Sequence, residues 1–140
     1  MPPKATHQGS AMILRRRDGT PFVGKSSSGP GAKAKRDLIL MLRDHAPSEP
    51  FTGPLAVYVG FIFPFRKSET KARKKLRVIP HDKRPDIDNL LKLFLDACTS
   101  CNYWLDDSLL ATIHAEKYWG EDPGIKLWVA QWGVSHSEFA

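Results

Sequence analysis

At 140 residues the chain suits one domain with a single core, and its two cysteines, Cys98 and Cys101, are not needed as a disulfide framework. A hydrophobic fraction of 41%, no apolar run near the roughly 20 residues that span a bilayer, and an N-terminal MPPKATHQGSAMILRRR without an apolar leader exclude the membrane and secretory classes and predict a soluble cytoplasmic protein. The formal net charge of +6 and pI near 9.5 point to a polyanionic partner, nucleic acid first, because clustered Lys and Arg release counterions condensed on phosphates.

In chain order, MILRRRDGTPFV reads as two short extended segments joined by Asp18-Gly19, a dipeptide suited to the positive φ angles of a two-residue hairpin turn. GKSSSGPG then breaks the chain. Residues 32–45 carry Leu38, Ile39, Met41 and Leu42 in a helix-forming context that ends before Pro47, which predicts a first amphipathic helix. LAVYVGFIFPF at 55–65 is β-branched and aromatic with apolar residues on both faces, as in an interior strand. RKSETKARKKLR at 66–77 has little to bury, so a mobile basic loop is expected over about 66–84 within a single domain spanning 1–140. In the second helix, Ile87, Leu90, Leu91, Phe94, Leu95 and Cys98 step by three and four, which places them on one face. A turn at LDDS leads into the roughly alternating LLATIHAEKYW, and GIKLWVAQW closes the domain as a further strand. The chain has no internal repeat.

Three motifs are decoys. GTPFVGKS at 19–26 matches the phosphate-binding pattern G-x-x-x-x-G-K-[ST], but RRRD precedes it where a buried strand is required and SSGPG follows where a helix must start. No nucleotide cofactor is expected. Cys98 and Cys101 form C-x-x-C without the second pair that zinc requires, and they fall at the end of a helix rather than its start, so core packing is expected of Cys98. His81, His114 and His136 are scattered and carry no ligand pattern.

The acids are less easily set aside. With Asp86 at the N-cap of the second helix, Asp88 falls in its first turn and Lys92 one turn further on the same face. Piece by piece, Asp86 would cap, Asp88 and Lys92 would pair for a few tenths of a kcal/mol, and Asp106-Asp107 would form a turn. Together, two carboxylates one residue apart and a second pair before a nearby strand form a hard-oxygen set suited to Mg²⁺ or Mn²⁺. Like charges repel, and a bound cation would neutralise them. The basic residues Lys71, Arg73, Lys74, Lys75, Arg77, Lys83 and Arg84 are placed to bring a phosphodiester to that metal, and Lys92 to meet the charge that builds on it.

RPDIDNLLKLFLDA, a short spacer and WLDDSLLATIHAEK resemble the signature of the RusA family of Holliday-junction resolvases, small homodimeric endonucleases commonly carried by phages and prophages. The close resemblance covers residues 84–117, with looser fits at PPK, DGTPFV, the first helix and GIKLWV. It implies metal-binding aspartates at Asp86, Asp88 and Asp107, an essential lysine at Lys92, an adjacent acidic position at Asp106, and supporting residues at Asn89 and Lys117. Family members usually begin with an additional strand before the Pro-Lys segment, so the start at Met1-Pro2-Pro3-Lys4 is expected to reflect either a missing edge strand or a start codon placed too late.

The fold expected is α/β (α+β): a small mixed, mostly antiparallel sheet with two helices packed on it, in a homodimer. The function implied is Mg²⁺-dependent resolution of four-way DNA junctions by paired, symmetric nicks during recombination and repair. Two rivals stand beside it. A metal-dependent nuclease of flaps, forks or duplex DNA would need the same residues, whereas a non-catalytic DNA-binding protein would have no use for the clustered acids, which repel the DNA backbone.

Overall fold

The computed structural model describes residues 10–14 and 31–133, with side chains described from residue 35 to 133. The described residues build one five-stranded sheet. Its elements are β1 (Ser10–Leu14), α1 (Gly31–Arg43), β2 (Leu55–Pro64), α2 (Lys71–Lys74), β3 (Val78–Pro80), α3 (Ile87–Ser100), a 3₁₀ turn (Asp107–Leu109), β4 (Leu110–Gly120) and β5 (Gly124–Gln131). The strand order is β1-β5-β2-β4-β3. The β2–β4 pair is parallel and the other pairs are antiparallel, so the sheet is mixed and mostly antiparallel, as the sequence suggests. A parallel pair needs a crossover, and here α3 lies in the connection between β2 and β4.

Period-two alternation gives β2 two different faces. Leu55, Val57, Val59, Phe61 and Phe63 enter the core with Leu38, Met41 and Leu42 of α1 and Leu90, Phe94, Ala97 and Cys98 of α3. Phe94 meets Phe61 edge to face, with centroids 5.7 Å apart. Both long helices therefore cover one side of the sheet. On the other side lie Ala56, Tyr58, Gly60 and Ile62, with Tyr58 against His114 of β4 at 5.4 Å. A Cβ at Gly60 would stand 2.9 Å from the Tyr58 hydroxyl, so the tip of that side chain would have to shift to admit one. Burial, with Glu116 close by, pushes the Tyr58 phenol up to about 12.

The segment expected as a loop carries more structure than its composition suggests. Ile79 is buried in β3 and pairs with Trp119, so one apolar residue between exposed neighbours was enough to fix a strand on the sheet edge. Burial pushes the Cys98 thiol well above its ordinary range and that of Cys101 less, in keeping with core packing for Cys98. The Asp18-Gly19 hairpin turn, GTPFVGKS, His136 and the start of the chain lie outside the described residues. Among the described residues, no helix is long and apolar enough to cross a membrane.

Candidate active site

The acids occupy the two ends of α3. At its N-terminus Asp86 takes the extended N-cap backbone (φ −68°, ψ 141°), yet its carboxylate makes no capping bond. Asp88 is exposed in the first turn, and among the described residues it forms no ion pair with Lys92, which is also exposed. A side-chain cap would contribute ~1 kcal/mol and the ion pair a few tenths of a kcal/mol. Neither local role is taken up. Attraction to the helix dipole, about 0.3–1 kcal/mol for an acid in the first turn, is the structural role that remains.

The approach to Asp86 is held from the sheet. The Lys117 ammonium on β4 donates to the carbonyl of Pro85 at 2.7 Å and to that of Lys83, fixing the backbone just ahead of Asp86. His81 stacks on Trp119 with centroids 4.1 Å apart, and its Nδ1 accepts the Lys83 N–H at 3.1 Å. Burial, then the nearby Lys117 charge, holds the imidazole below its ordinary range.

At the other end of α3, Tyr103 and Trp104 are fully buried and anchor the link to β4. The Tyr103 hydroxyl donates to the Leu42 carbonyl at 2.6 Å, and the Tyr103 carbonyl accepts the Phe51 N–H at 2.7 Å. The Trp104 indole N–H lies 3.0 Å from Thr99 Oγ1 and 3.2 Å from Asp107 Oδ1. Thr99 also donates to Asp107 Oδ1. Asp106, at the start of the 3₁₀ turn, accepts from the Ser108 hydroxyl at 2.5 Å and is exposed.

Helix geometry separates these ends. Asp107 bonds to Thr99, and Thr99 stands eleven positions beyond Asp88 on α3, which is about 16 Å along the axis at 1.5 Å per residue. Carboxylates that share one Mg²⁺ each place an oxygen about 2.1 Å from it. Asp107 is therefore out of reach of an ion held by Asp86 and Asp88 of the same chain. Accordingly, the described residues contain no group of three or more His, Cys, Asp or Glu placed to hold a metal ion. In chemistry the donors suit a hard divalent cation: among the described residues, Asp86 and Asp88 are uncommitted carboxylates and Asp107 takes its bonds on Oδ1 alone.

The family described as Endodeoxyribonuclease RusA matches residues 3–130, nearly the whole chain. The chain belongs to the RusA endodeoxyribonuclease family. It is also 26% identical over 136 residues to "Uncharacterized protein YqaN" of Bacillus subtilis (strain 168), covering 91% of this chain and 95% of that protein. The RusA assignment makes the chain an endodeoxyribonuclease, a phosphodiester hydrolase, in a family that acts on branched DNA.

In this RusA-family chain the basic segment is pinned at its root. Glu69, nearly buried, pairs with Arg66 at 3.1 Å and Arg73 at 3.3 Å, while the Arg66 guanidinium lies 4.1 Å from the Trp119 ring centre. Thr70 caps α2 by accepting the Arg73 N–H at 3.2 Å. Lys71, Arg73, Lys74, Lys75, Arg77, Lys83 and Arg84 are all exposed. Arg73 is tied to Glu69, so the others have the freer charges. Sequence reasoning singled out the acids and did not single out Thr99 and Trp104, which the structure places against Asp107. The signal was faint: a Trp three residues before Asp107, and a Thr next to the buried Cys98 on the last turns of the helix.

Proposed function

We propose that the protein is a Mg²⁺-dependent endonuclease, able to use Mn²⁺, that resolves four-way DNA junctions as a homodimer. The observation that carries this reading is the state of the acids: Asp86 and Asp88 are exposed and uncommitted at the N-terminus of α3, beside Lys92 and the exposed basic segment. A non-catalytic DNA-binding protein would gain nothing from leaving carboxylates unpaired where they repel phosphate. Asp86 and Asp88 of one copy, with Asp107 of a second, would hold the cation, because α3 keeps the two sets apart within one chain. A two-fold axis would then build two equal sites from the same pair of surfaces.

When bound, the cation would polarise the scissile phosphoryl oxygen and lower the pKa of a bound water. Asp86 and Asp88 would orient it, and the Lys117 hydrogen bonds would keep their backbone fixed. Lys92 would offset charge on the phosphate, while Lys71, Lys74, Lys75, Arg77, Lys83 and Arg84 draw the backbone in. The products would carry ligatable 5′-phosphate and 3′-hydroxyl ends. The test compares cleavage of four-way, flap and linear DNA at one salt concentration, with and without Mg²⁺. Preference for the four-way substrate supports the resolvase reading. Equal rates on all three would assign a general nuclease, and metal-independent cleavage would remove the acids from the chemistry.

A further inference from the structure

We propose that Thr99 and Trp104 are positioning residues for Asp107: together they fix one carboxylate oxygen and turn the other outward to ligate the cation. The inference rests on reading Asp107 as a metal ligand. Both donors converge on Oδ1, the Thr99 hydroxyl directly and the Trp104 indole N–H at 3.2 Å, with the same N–H shared to Thr99 Oγ1 at 3.0 Å. The three side chains therefore close a small ring of hydrogen bonds.

The ring has a defined proton order. Indole is only a donor, and a hydroxyl has one proton and two lone pairs. Trp104 must donate to Thr99, which leaves the Thr99 proton to be given away. Two acceptors are within reach, the Leu95 carbonyl at 3.1 Å and Asp107 Oδ1. The ionised carboxylate is the stronger acceptor, since charge-assisted bonds are roughly twice as strong as neutral ones. The proton therefore points to Asp107.

Trp104 is fully buried, and its ring meets Tyr103 at 6.3 Å, whose hydroxyl is tied to α1. The indole cannot swing with the turn, so the carboxylate is referenced to the core rather than to the exposed backbone at Asp106. A bond to Oδ1 also holds the carboxylate plane, which leaves Oδ2 as a monodentate donor. Outer-shell partners of this kind typically change metal affinity or activity by on the order of ten- to a hundredfold when removed.

The test uses the full chain and Mn²⁺ as probe, with free ion read by electron paramagnetic resonance and folding by thermal melting. Thr99→Val keeps the shape and removes the hydroxyl; Thr99→Ser restores it; Trp104→Phe keeps a ring and removes the N–H. Thr99→Val should weaken Mn²⁺ binding by about tenfold or more, Trp104→Phe should do the same, and Thr99→Ser should recover near-original affinity. Cleavage by Thr99→Val should recover at saturating Mn²⁺, which a collapsed site would not allow. Asp107→Asn separates the two ideas. If it binds Mn²⁺ like the original chain, Asp107 is no ligand and the reading beneath the inference fails. If Asp107→Asn loses binding while Thr99→Val and Trp104→Phe keep it, the positioning role alone is overturned. Unfolding of both the Val and the Phe variant would assign the ring to stability and overturn it as well.

Discussion

The two ends of α3 carry acids in opposite states. At the N-terminal end Asp86 and Asp88 are exposed, make no capping bond and no pair with Lys92, and are placed through the backbone, by way of Lys117 and His81. At the C-terminal end Asp107 is half-buried and held through its side chain by Thr99 and Trp104. With these aspartates as the proposed ligands, the contrast separates two ways of preparing a ligand. Where the backbone is fixed, a carboxylate can stay free to choose its geometry around a cation; where the turn is exposed, the carboxylate itself must be fixed from the core.

The largest expected effect comes from removing charge at either end. Asp86→Asn, Asp88→Asn or Asp107→Asn should each lower junction cleavage by about a hundredfold or more while junction binding survives. Near-normal cleavage by one of them would take that residue out of the site. Mixing sharpens the comparison. If both ends of α3 from two copies build each site, combining Asp88→Asn with Asp107→Asn gives heterodimers in which one site carries both lesions and the other carries none. Nicking should return in the mixture, with nicked circles from a cruciform plasmid and little linear product. A mixture as inactive as its components would mean that no intact site forms across copies.

The sequence made the elements legible because their patterns are strong. α3 shows a helical period with Leu90, Phe94, Ala97 and Cys98 buried along it, and β2 is apolar on both faces. The cluster of Asp86, Asp88, Asp106 and Asp107 was equally visible by its spacing, and the family resemblance implied the choice of Asp107 within it. Which acids lie together was not. Asp88 and Asp107 are kept apart less by chain distance than by the rigid length of α3, and residue type says nothing about how the following turn folds back. The ring at Thr99 was hidden for a similar reason: it joins three residues of ordinary composition through a buried Trp104. β3 escaped because its surroundings are basic and exposed and Ile79 alone packs inward.

A smaller effect is expected at Lys92. Its ammonium is exposed, without an ion pair to Asp88, so Lys92→Ala has little stability to lose. Single-turnover cleavage should fall by about a hundredfold, the lower end of what is lost with other groups that meet developing charge, at unchanged Mn²⁺ affinity. Unchanged cleavage would reduce Lys92 to a solvated helix residue and leave the N-terminal end with carboxylates only.

Weaker still is the effect of the basic segment. Lys71, Lys74 and Lys75 changed together to Ala should flatten the log–log salt dependence of junction binding by about 0.9 for each phosphate that is no longer neutralised. Arg73 is left in place because its pair with Glu69 holds the segment's root. An unchanged slope would move the DNA-binding surface away from α2.

The smallest effect tests the backbone clamp itself. His81 lies under the N-terminal end of α3, stacked on Trp119 and accepting the Lys83 N–H on Nδ1. That acceptor role requires a neutral ring, and burial together with the Lys117 charge lowers the imidazole below its ordinary value. The unfolded chain, with a His near pH 6.5, therefore binds a proton that the folded chain refuses. Stability from this source is fully present above about pH 6.5 and is lost as the pH falls through the lower folded value. Acidification should thus lower the melting temperature more than it does in His81→Phe, whose ring keeps the stack but does not titrate. It should also speed amide exchange around Lys83, after correction for intrinsic rates, while leaving the amides of Thr99 and Trp104 unaffected. Equal acid sensitivity in the original chain and His81→Phe would show that the proton is taken up elsewhere. The hold on the backbone ahead of Asp86 would then rest on the Lys117 hydrogen bonds and not on the charge state of His81.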